Sequence, residues 1–247
     1  MSQEVKALVL SAGKGTRLRQ EGIDLPKVMR EAHGKPLLHY VLTALDFLPK
    51  ENVIIVVGYQ REAVLAVYGD YPHAVQEPQL GTGHAVQCAA EHLKDFDGHV
   101  LVCCGDTPLM KKATYQSLVK LHLDADNDCT LLSAHVDEGG SYGRITRTPT
   151  GDFKAIVEAK DCTPEEAQVN EVNTGVYLFR VKPLLEALGH LKNDNAQGEY
   201  YLTDVPGYLL SKGGKVGVCD TCSVQEMLGV NTPEQLQEVE DLLAAQS

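Results

Sequence analysis

A chain of 247 residues is long enough for one large domain with a substantial core, and its 43% apolar and 23% charged content excludes a disordered or fibrous protein. A formal net charge of -12 argues against general binding to nucleic acid, because a polyanion would be repelled over most of the surface. No run approaches the roughly 18 apolar residues of a membrane helix, and the start "MSQEVKALVL" lacks the marks of a secretory signal, so no membrane contact and a cytoplasmic location are expected.

In chain order, "VKALVL", "NVIIVVG" and "HVLVCCGD" are short apolar runs rich in β-branched residues, and segments with helical periodicity separate them. Leu37, Leu38, Val41, Leu42, Leu45 and Leu48 fall at the three-and-four spacing of a helix that begins around Pro36. "GTGHAVQCAAEHL" reads as a second helix capped by Thr82, and "TYQSLVKLHL" as a third. Strand and helix in alternation predict a mainly parallel sheet with helices on both faces, and such sheets bind ligands at the carboxyl ends of their strands. After Asp128 the strands "CTLLSAHV", "GRITRT", "FKAIVEAK" and "NTGVYLFR" follow one another closely, which predicts a mixed or antiparallel extension of the same sheet. Helices are expected near 182–191 and 201–210, and the segment "TPEQLQEVEDLLAAQS" is an acidic amphipathic helix. With no linker, repeat or low-complexity tract, residues 1–247 read as one domain: a nucleotide half to about 128, an acceptor half over 129–231 and a terminal helix over 232–247.

Seven cysteines, an odd number without framework spacing, read as reduced thiols. "CDTC" at Cys219–Cys222 has no second pair with which to form a zinc site, because Cys103 and Cys104 are adjacent and would point to opposite faces of a strand.

The chemistry concentrates in "LSAGKGTR", Leu10 to Arg17, at the end of the first strand. Around it the charge reverses sign: Lys14, Arg17, Arg19, Lys27, Arg30 and Lys35 face only Glu21, Asp24 and Glu31, which suits a phosphate-bearing ligand. A P-loop needs lysine and a hydroxyl after its second glycine, whereas Lys14 lies between Gly13 and Gly15. A dinucleotide loop needs a third glycine where Leu18 stands, and an acid near the end of the second strand, where Gly58, Tyr59 and Gln60 stand. A third design, L-x-x-G-x-G-T-R followed by a Pro-Lys pair, is complete here with "LPKV" and Lys27.

Further along, "QEPQLGTGHAV", "GDTPL", "YGRI", "IVEAKD", "NEVNTGVY", "NAQGEYYLTD" and "GVN" occur in one order. Together with the loop they resemble the sugar-phosphate nucleotidyltransferases, in particular the uridylyltransferase domain of the bacterial bifunctional enzymes that make UDP-N-acetylglucosamine. The resemblance runs from about Val5 to Asn231. It implies an α/β, Rossmann-like fold with a mixed, mainly parallel sheet flanked by helices, the nucleotide-diphospho-sugar transferase fold. It also implies transfer of UMP from UTP to N-acetylglucosamine 1-phosphate, with Mg²⁺ as cofactor.

Carried over residue by residue, the resemblance gives Leu10, Ser11, Ala12, Gly13, Gln76, Gly81, Thr82 and Gly105 to the nucleotide. A side-chain amide such as Gln76 offers both a donor and an acceptor to the edge of uracil. Arg17, Lys27 and Asp106 take catalytic positions, with the two cations neutralising phosphate charge. Asp106 and Asn231 are the implied metal ligands; so small a protein donor set suits Mg²⁺, which keeps water and substrate phosphates in its shell. Gly143, Glu158, Asn173, Tyr201 and Thr203 are the implied sugar contacts. The attacking phosphate is already an anion, so no general base is needed, and His84 is expected to serve the start of its helix.

Two positions depart from the pattern. Ser11 replaces a usual alanine, and Cys104 stands where tyrosine usually precedes Gly-Asp, which leaves the acceptor less fixed than UTP. The hexapeptide repeats of the bifunctional enzyme's acetyltransferase β-helix do not follow Ser247, so acetyl-CoA is not an expected partner and a separate acetyltransferase would supply that step. Another sugar-1-phosphate nucleotidyltransferase, or a catalytically silent nucleotide sensor, stays open as an alternative; an enzyme, unlike a sensor, needs Arg17, Lys27, Asp106 and Asn231 together.

Overall fold

The computed structural model describes residues 4–15 and 25–245, so Arg17 and the other residues of 16–24 lie outside the described part of the chain. The first part contains β1 (Val5–Ser11), a small hairpin of β2 (Glu31–Ala32) and β3 (Lys35–Pro36), α1 (Leu37–Ala44), β4 (Val53–Val57), α2 (Arg61–Tyr68) and β5 (His73–Val75). Next come α3 (Thr82–Cys88), β6 (His99–Cys104) and α4 (Lys112–Ala125). The remainder contains β7 (Cys129–His135), β8 (Arg144–Arg147), β9 (Phe153–Val157), β10 (Glu171–Arg180), α5 (Val181–Leu188), α6 (Asp204–Ser211), β11 (Val216–Cys219) and α7 (Pro233–Ala244).

Among the described residues one sheet runs in the order β11-β7-β10-β6-β1-β4-β5, with β8 and β9 attached beside β10. β6, β1, β4 and β5 are mutually parallel, and β10 joins them antiparallel to both β6 and β7. Strands from both sides of Asp128 thus share a single sheet. Alternation along the strands builds two cores, because successive side chains leave opposite faces. Val5, Ala7 and Val9 of β1 pack with Leu101 and Cys103 of β6 on the face covered by α1 and α4. Leu8 packs with Val100 and Val102 toward α3 and α5. A smaller cluster of Ala32, Leu37, Leu109, Val230 and Val239 holds α7 against the β2–β3 hairpin.

Several elements differ from the sequence expectation. Thr82 is the first residue of α3 rather than its cap; Gly81 takes the cap position at φ 107, and the Thr82 hydroxyl accepts instead from the Leu202 amide at 3.1 Å. The periodic segment 81–93 is α-helical only to Cys88 and then tightens into a 3-10 turn at Ala90–His92. The helix expected near 201–210 starts later, at Asp204. α2, β5 and β11 are short and their patterns too brief to read from the sequence. Cys103 and Cys104 do face opposite sides; Cys219 and Cys222 are buried free thiols, and burial pushes the Cys222 thiol up to about 12. No helix among the described residues is long and apolar enough to cross a membrane.

Away from the carboxyl ends of β1 and β6, α4 is tied to the sheet by a buried polar chain. His122 is fully buried; its ring nitrogens lie 3.0 Å from His99 Nδ1 and 2.9 Å from the Thr130 hydroxyl. Burial, with His99 and Arg180 as lesser contributions, lowers the His122 imidazole to about 3. The unfolded chain binds this proton at an ordinary histidine pKa and the folded one does not, so the stabilisation is present above about pH 6.5 and is lost as pH falls toward 3. Urea unfolding as a function of pH should show a decline over this window of up to about 4 kcal/mol, and His122→Gln should flatten it. An unchanged slope in the variant would disprove the assignment.

Candidate active site

The carboxyl ends of β1 and β6 meet where the glycine loop leaves the sheet. Leu10 pairs with Cys104, and the Gly105 amide extends the ladder by one bond to Leu10 O at 2.9 Å. β6 then turns sharply, with the Thr107 hydroxyl donating to Cys104 O at 3.1 Å, and this turn presents Asp106 at the strand end. Asp106 does not cap a helix: α4 starts only at Lys112, with Lys111 at the cap position.

Two adjoining cavities open here. The larger, about 430 Å³, is bounded by Ser11, Ala12, Gly13, Lys14, Lys27, Gln76, Gly81 and Thr82. The smaller, about 220 Å³, is bounded by Tyr142, Gly143, Glu158, Asn173, Thr203 and Asn231 among others. Leu10, Thr82, Cys104 and Asp106 border both, so the two form one continuous cleft with Asp106 at the junction.

The larger cavity is shaped by two stretches far apart in sequence that hydrogen-bond to each other. The amides of Gly83 and Tyr200 donate to Tyr200 O and Leu80 O, each at 2.8 Å, which lays "EYYL" against "LGTG". Gly81 is required at this contact: besides its positive φ, a Cβ there would come within 2.7 Å of Tyr200 O. The buried Gln76 amide donates to Gly81 O at 2.9 Å, which fixes its plane. His84, in the first turn of α3, sits 3.3 Å from the same amide nitrogen and lines neither cavity. Ser11 borders the cavity with a buried hydroxyl that has no hydrogen-bond partner among the described residues. Gly105 is not exposed to the cavity. It packs underneath, where a Cβ would come within 2.4 Å of Ser11 Oγ and 3.1 Å of Val28.

At the junction the Lys27 ammonium forms an ion pair with Asp106 and donates to Asn231 Oδ1 at 2.9 Å. Asn231 is held in place by the start of α7. Thr232 and Gln235 form a capping box, and the Gln235 side chain also accepts from the Asn231 amide at 2.8 Å. The Val230 amide donates to Asp106 O at 3.0 Å, locking the two oxygen-bearing residues in register. Two hard oxygens converging on one cation are a donor set that suits Mg²⁺.

The smaller cavity depends on a break in β10. Its register against β7 shifts between Asn173 and Tyr177, with Gly175 at φ 79. Asn173 is there held by three bonds: its amide N–H to Gly143 O at 2.9 Å, its side chain to the Tyr177 hydroxyl at 2.6 Å, and its Oδ1 from the Gly175 amide at 3.2 Å. Glu158 accepts from the Thr203 hydroxyl at 2.9 Å. Burial raises its carboxyl above the ordinary value, the Thr203 bond opposes this, and Asp161, Asp204 and Glu199 add to the rise. Tyr201 is not part of this cavity. Its hydroxyl bonds Asp161 at 3.3 Å and Gln197 at 2.9 Å, and the residue lines an adjoining hollow that shares Glu158 and Thr203 with the cavity.

The structure thus brings together around one cleft Leu10, Ser11, Ala12, Gly13, Lys27, Gln76, Gly81, Thr82, Asp106, Gly143, Glu158, Asn173, Thr203 and Asn231. Gly105 and Tyr201 stand beside it, and Arg17 is outside the described residues. Gln79, Glu199, Tyr142 and Gln235 also border the cleft without having been singled out by the sequence. The capping pattern "TPEQ" was the one available signal for Gln235. Burial pushes the Cys104 thiol well above its ordinary pKa, with Asp106 adding to the effect, which disfavours the thiolate at this position.

Comparison with known proteins bears on the family and the fold. The chain is 44% identical over 239 residues to the bifunctional protein GlmU of Clostridium beijerinckii, and 43% identical to those of Clostridium novyi and, over 238 residues, a Geobacillus species. Each alignment covers 96% of this chain but 51–52% of the relative, so the chain spans about half the length of these proteins. A crystal structure described as a glucose-1-phosphate thymidylyltransferase from Bacillus anthracis, in complex with sucrose, shares the fold. Its TM-score is 0.76 at 19% identity, covering 97% of this chain and 95% of that one. Residues 7–204 match the MobA-like NTP transferase domain. The chain belongs to this family of nucleotidyltransferases.

Proposed function

We propose that this chain transfers UMP from UTP to N-acetylglucosamine 1-phosphate, yielding UDP-N-acetylglucosamine and pyrophosphate, in the cytoplasm where UTP is made. The observation that carries the reading is the junction of two cavities at Leu10, Thr82, Cys104 and Asp106, beside the glycine loop. Transfer between two phosphates needs two neighbouring anion-bearing ligands and a charged group where they touch. The likeness to the GlmU proteins supports the choice of uridine and of the amino-sugar acceptor.

In this reading residues 1–128 hold UTP and 129–231 hold the acceptor, with Glu199 and Asp106 reaching across that division. The backbone of Leu10 to Gly13 receives the nucleotide, and Gln76, Gly81 and Thr82 recognise uracil and ribose. Glu158, Asn173 and Thr203 hold the sugar hydroxyls and the N-acetyl group against Gly143. Lys27, and Arg17 by resemblance, neutralise the phosphate chain as pyrophosphate departs. Asp106 and Asn231 would hold Mg²⁺, which when bound screens the charge on the phosphates. Alignment and charge neutralisation supply the rate, because the acceptor phosphate arrives already ionised.

Pyrophosphate release measured across sugar 1-phosphates and nucleoside triphosphates should be fastest with UTP and N-acetylglucosamine 1-phosphate. No turnover with UTP and any hexosamine or hexose 1-phosphate would refute the reading. Asp106→Ala should lower kcat/KM by about 100-fold or more while the chain stays folded.

Glu158→Gln should raise the acceptor KM about tenfold with a smaller change in kcat, as expected for one lost charge-assisted hydrogen bond. Because the folded carboxyl is raised, its charge is lost at a higher pH than that of an exposed glutamate. The acceptor KM should therefore rise as pH falls through that value, and the rise should be absent in Glu158→Gln. A parallel pH profile in both proteins would remove Glu158 from acceptor binding.

A further inference from the structure

We infer that Lys27 is the resident counter-ion of the metal position: its ammonium group holds the oxygens of Asp106 and Asn231 until nucleotide phosphates draw it away. The inference rests on the reading of these two residues as the metal-holding pair.

The geometry gives the lysine and a divalent cation the same ligands. Lys27 Nζ pairs with Asp106 Oδ2 and donates to Asn231 Oδ1 at 2.9 Å. No other cation is paired with Asp106 among the described residues. A metal ion entering between these oxygens meets a positive charge already hydrogen-bonded to both, and two cations on one carboxylate repel each other. Lysine and metal therefore compete.

The stem of Lys27 is fixed while its tip can choose. Gly15, at φ 56, lies so close that a Cβ would come within 2.7 Å of Lys27 Cβ, so the glycine loop packs directly on the base of the side chain. Pro26 before it has φ -62, and Lys27 opens a 3-10 turn that buries Val28 and Met29. Three flexible methylenes beyond this anchor carry a charge that borders the larger cavity. A triphosphate in that cavity offers the ammonium a stronger anionic partner within rotamer reach, without backbone movement. Moving the lysine onto phosphate vacates the oxygens, and the phosphates add further metal ligands there. The protein oxygens are thereby kept paired in the nucleotide-free state, where an unpaired, half-buried carboxylate would be costly.

The test is metal affinity without nucleotide, read by counting free Mn²⁺ with electron paramagnetic resonance as it is titrated into the full chain. Lys27→Met should bind Mn²⁺ at least about tenfold more tightly than the unsubstituted protein, because the competing charge is gone. Lys27→Arg, which keeps a charge, should show no such gain. Adding Asp106→Asn to Lys27→Met should abolish it, which locates the ion. Lys27→Gln carries the same expectation as Lys27→Met should the methionine variant not fold. If neither neutral variant binds Mn²⁺ more tightly than the unsubstituted chain, or if the gain survives loss of the Asp106 charge, the inference is wrong. UTP binding measured in the same unsubstituted protein separates the two conclusions: failure to bind UTP would overturn the proposed function while leaving the Mn²⁺ comparison to decide the role of Lys27.

Discussion

One ammonium group joins three stretches of chain that are separated by as many as 204 positions. Lys27 follows the glycine loop, Asp106 ends β6, and Asn231 precedes α7. The sheet order makes their meeting possible, since β1 and β6 are adjacent and parallel and deliver their carboxyl ends to one place. α7 completes the contact through Val230, whose amide bonds Asp106 and whose side chain packs with Val239 beside the hairpin. Without this convergence the two cavities would still exist as dents in a surface. They would have no shared charged junction.

The rest of the cleft is oriented by hydrogen bonds in a way that would suit transfer by alignment. Asn173, Gln76 and Asn231 are each fixed by hydrogen bonds to backbone or neighbouring side chains, so their remaining polar atoms are oriented before any ligand arrives. Ordering side chains in advance removes part of the entropy that binding would otherwise cost. The border of the cleft also bears on the route of transfer. Among the described residues no histidine lines either cavity, and burial raises the pKa of the thiol at the junction, Cys104, which disfavours its thiolate. Direct attack by the acceptor phosphate needs neither a base nor an enzyme nucleophile.

Much of this was legible in the sequence because the informative residues are punctuation. Gly13, Gly15 and Pro26–Lys27 separate one phosphate loop from two others by position alone, and the apolar runs of β1, β4 and β6 state the parallel sheet. Sequence reading failed where long-range contacts decide. Thr82 has the chemistry of a helix cap, but the approach of Leu202 claims its hydroxyl. Tyr201 sits within the specific run "NAQGEYYLTD", and its hydroxyl bonds Asp161 in the hollow that adjoins the smaller cavity. Gly105 lies in the motif for packing, since Ser11 leaves no room for a Cβ. The pairing of Lys27 with Asn231 had no local signal at all.

The central claim is that the uridylyl group passes directly from one cavity to the other at the Asp106 junction. Its most direct test is stereochemical: UTP carrying a single sulfur of known configuration on the α-phosphorus, turned over with N-acetylglucosamine 1-phosphate, and the product read by phosphorus NMR. One in-line displacement predicts inversion at the α-phosphorus. Retention would mean two displacements through a covalent enzyme intermediate, and would contradict the account.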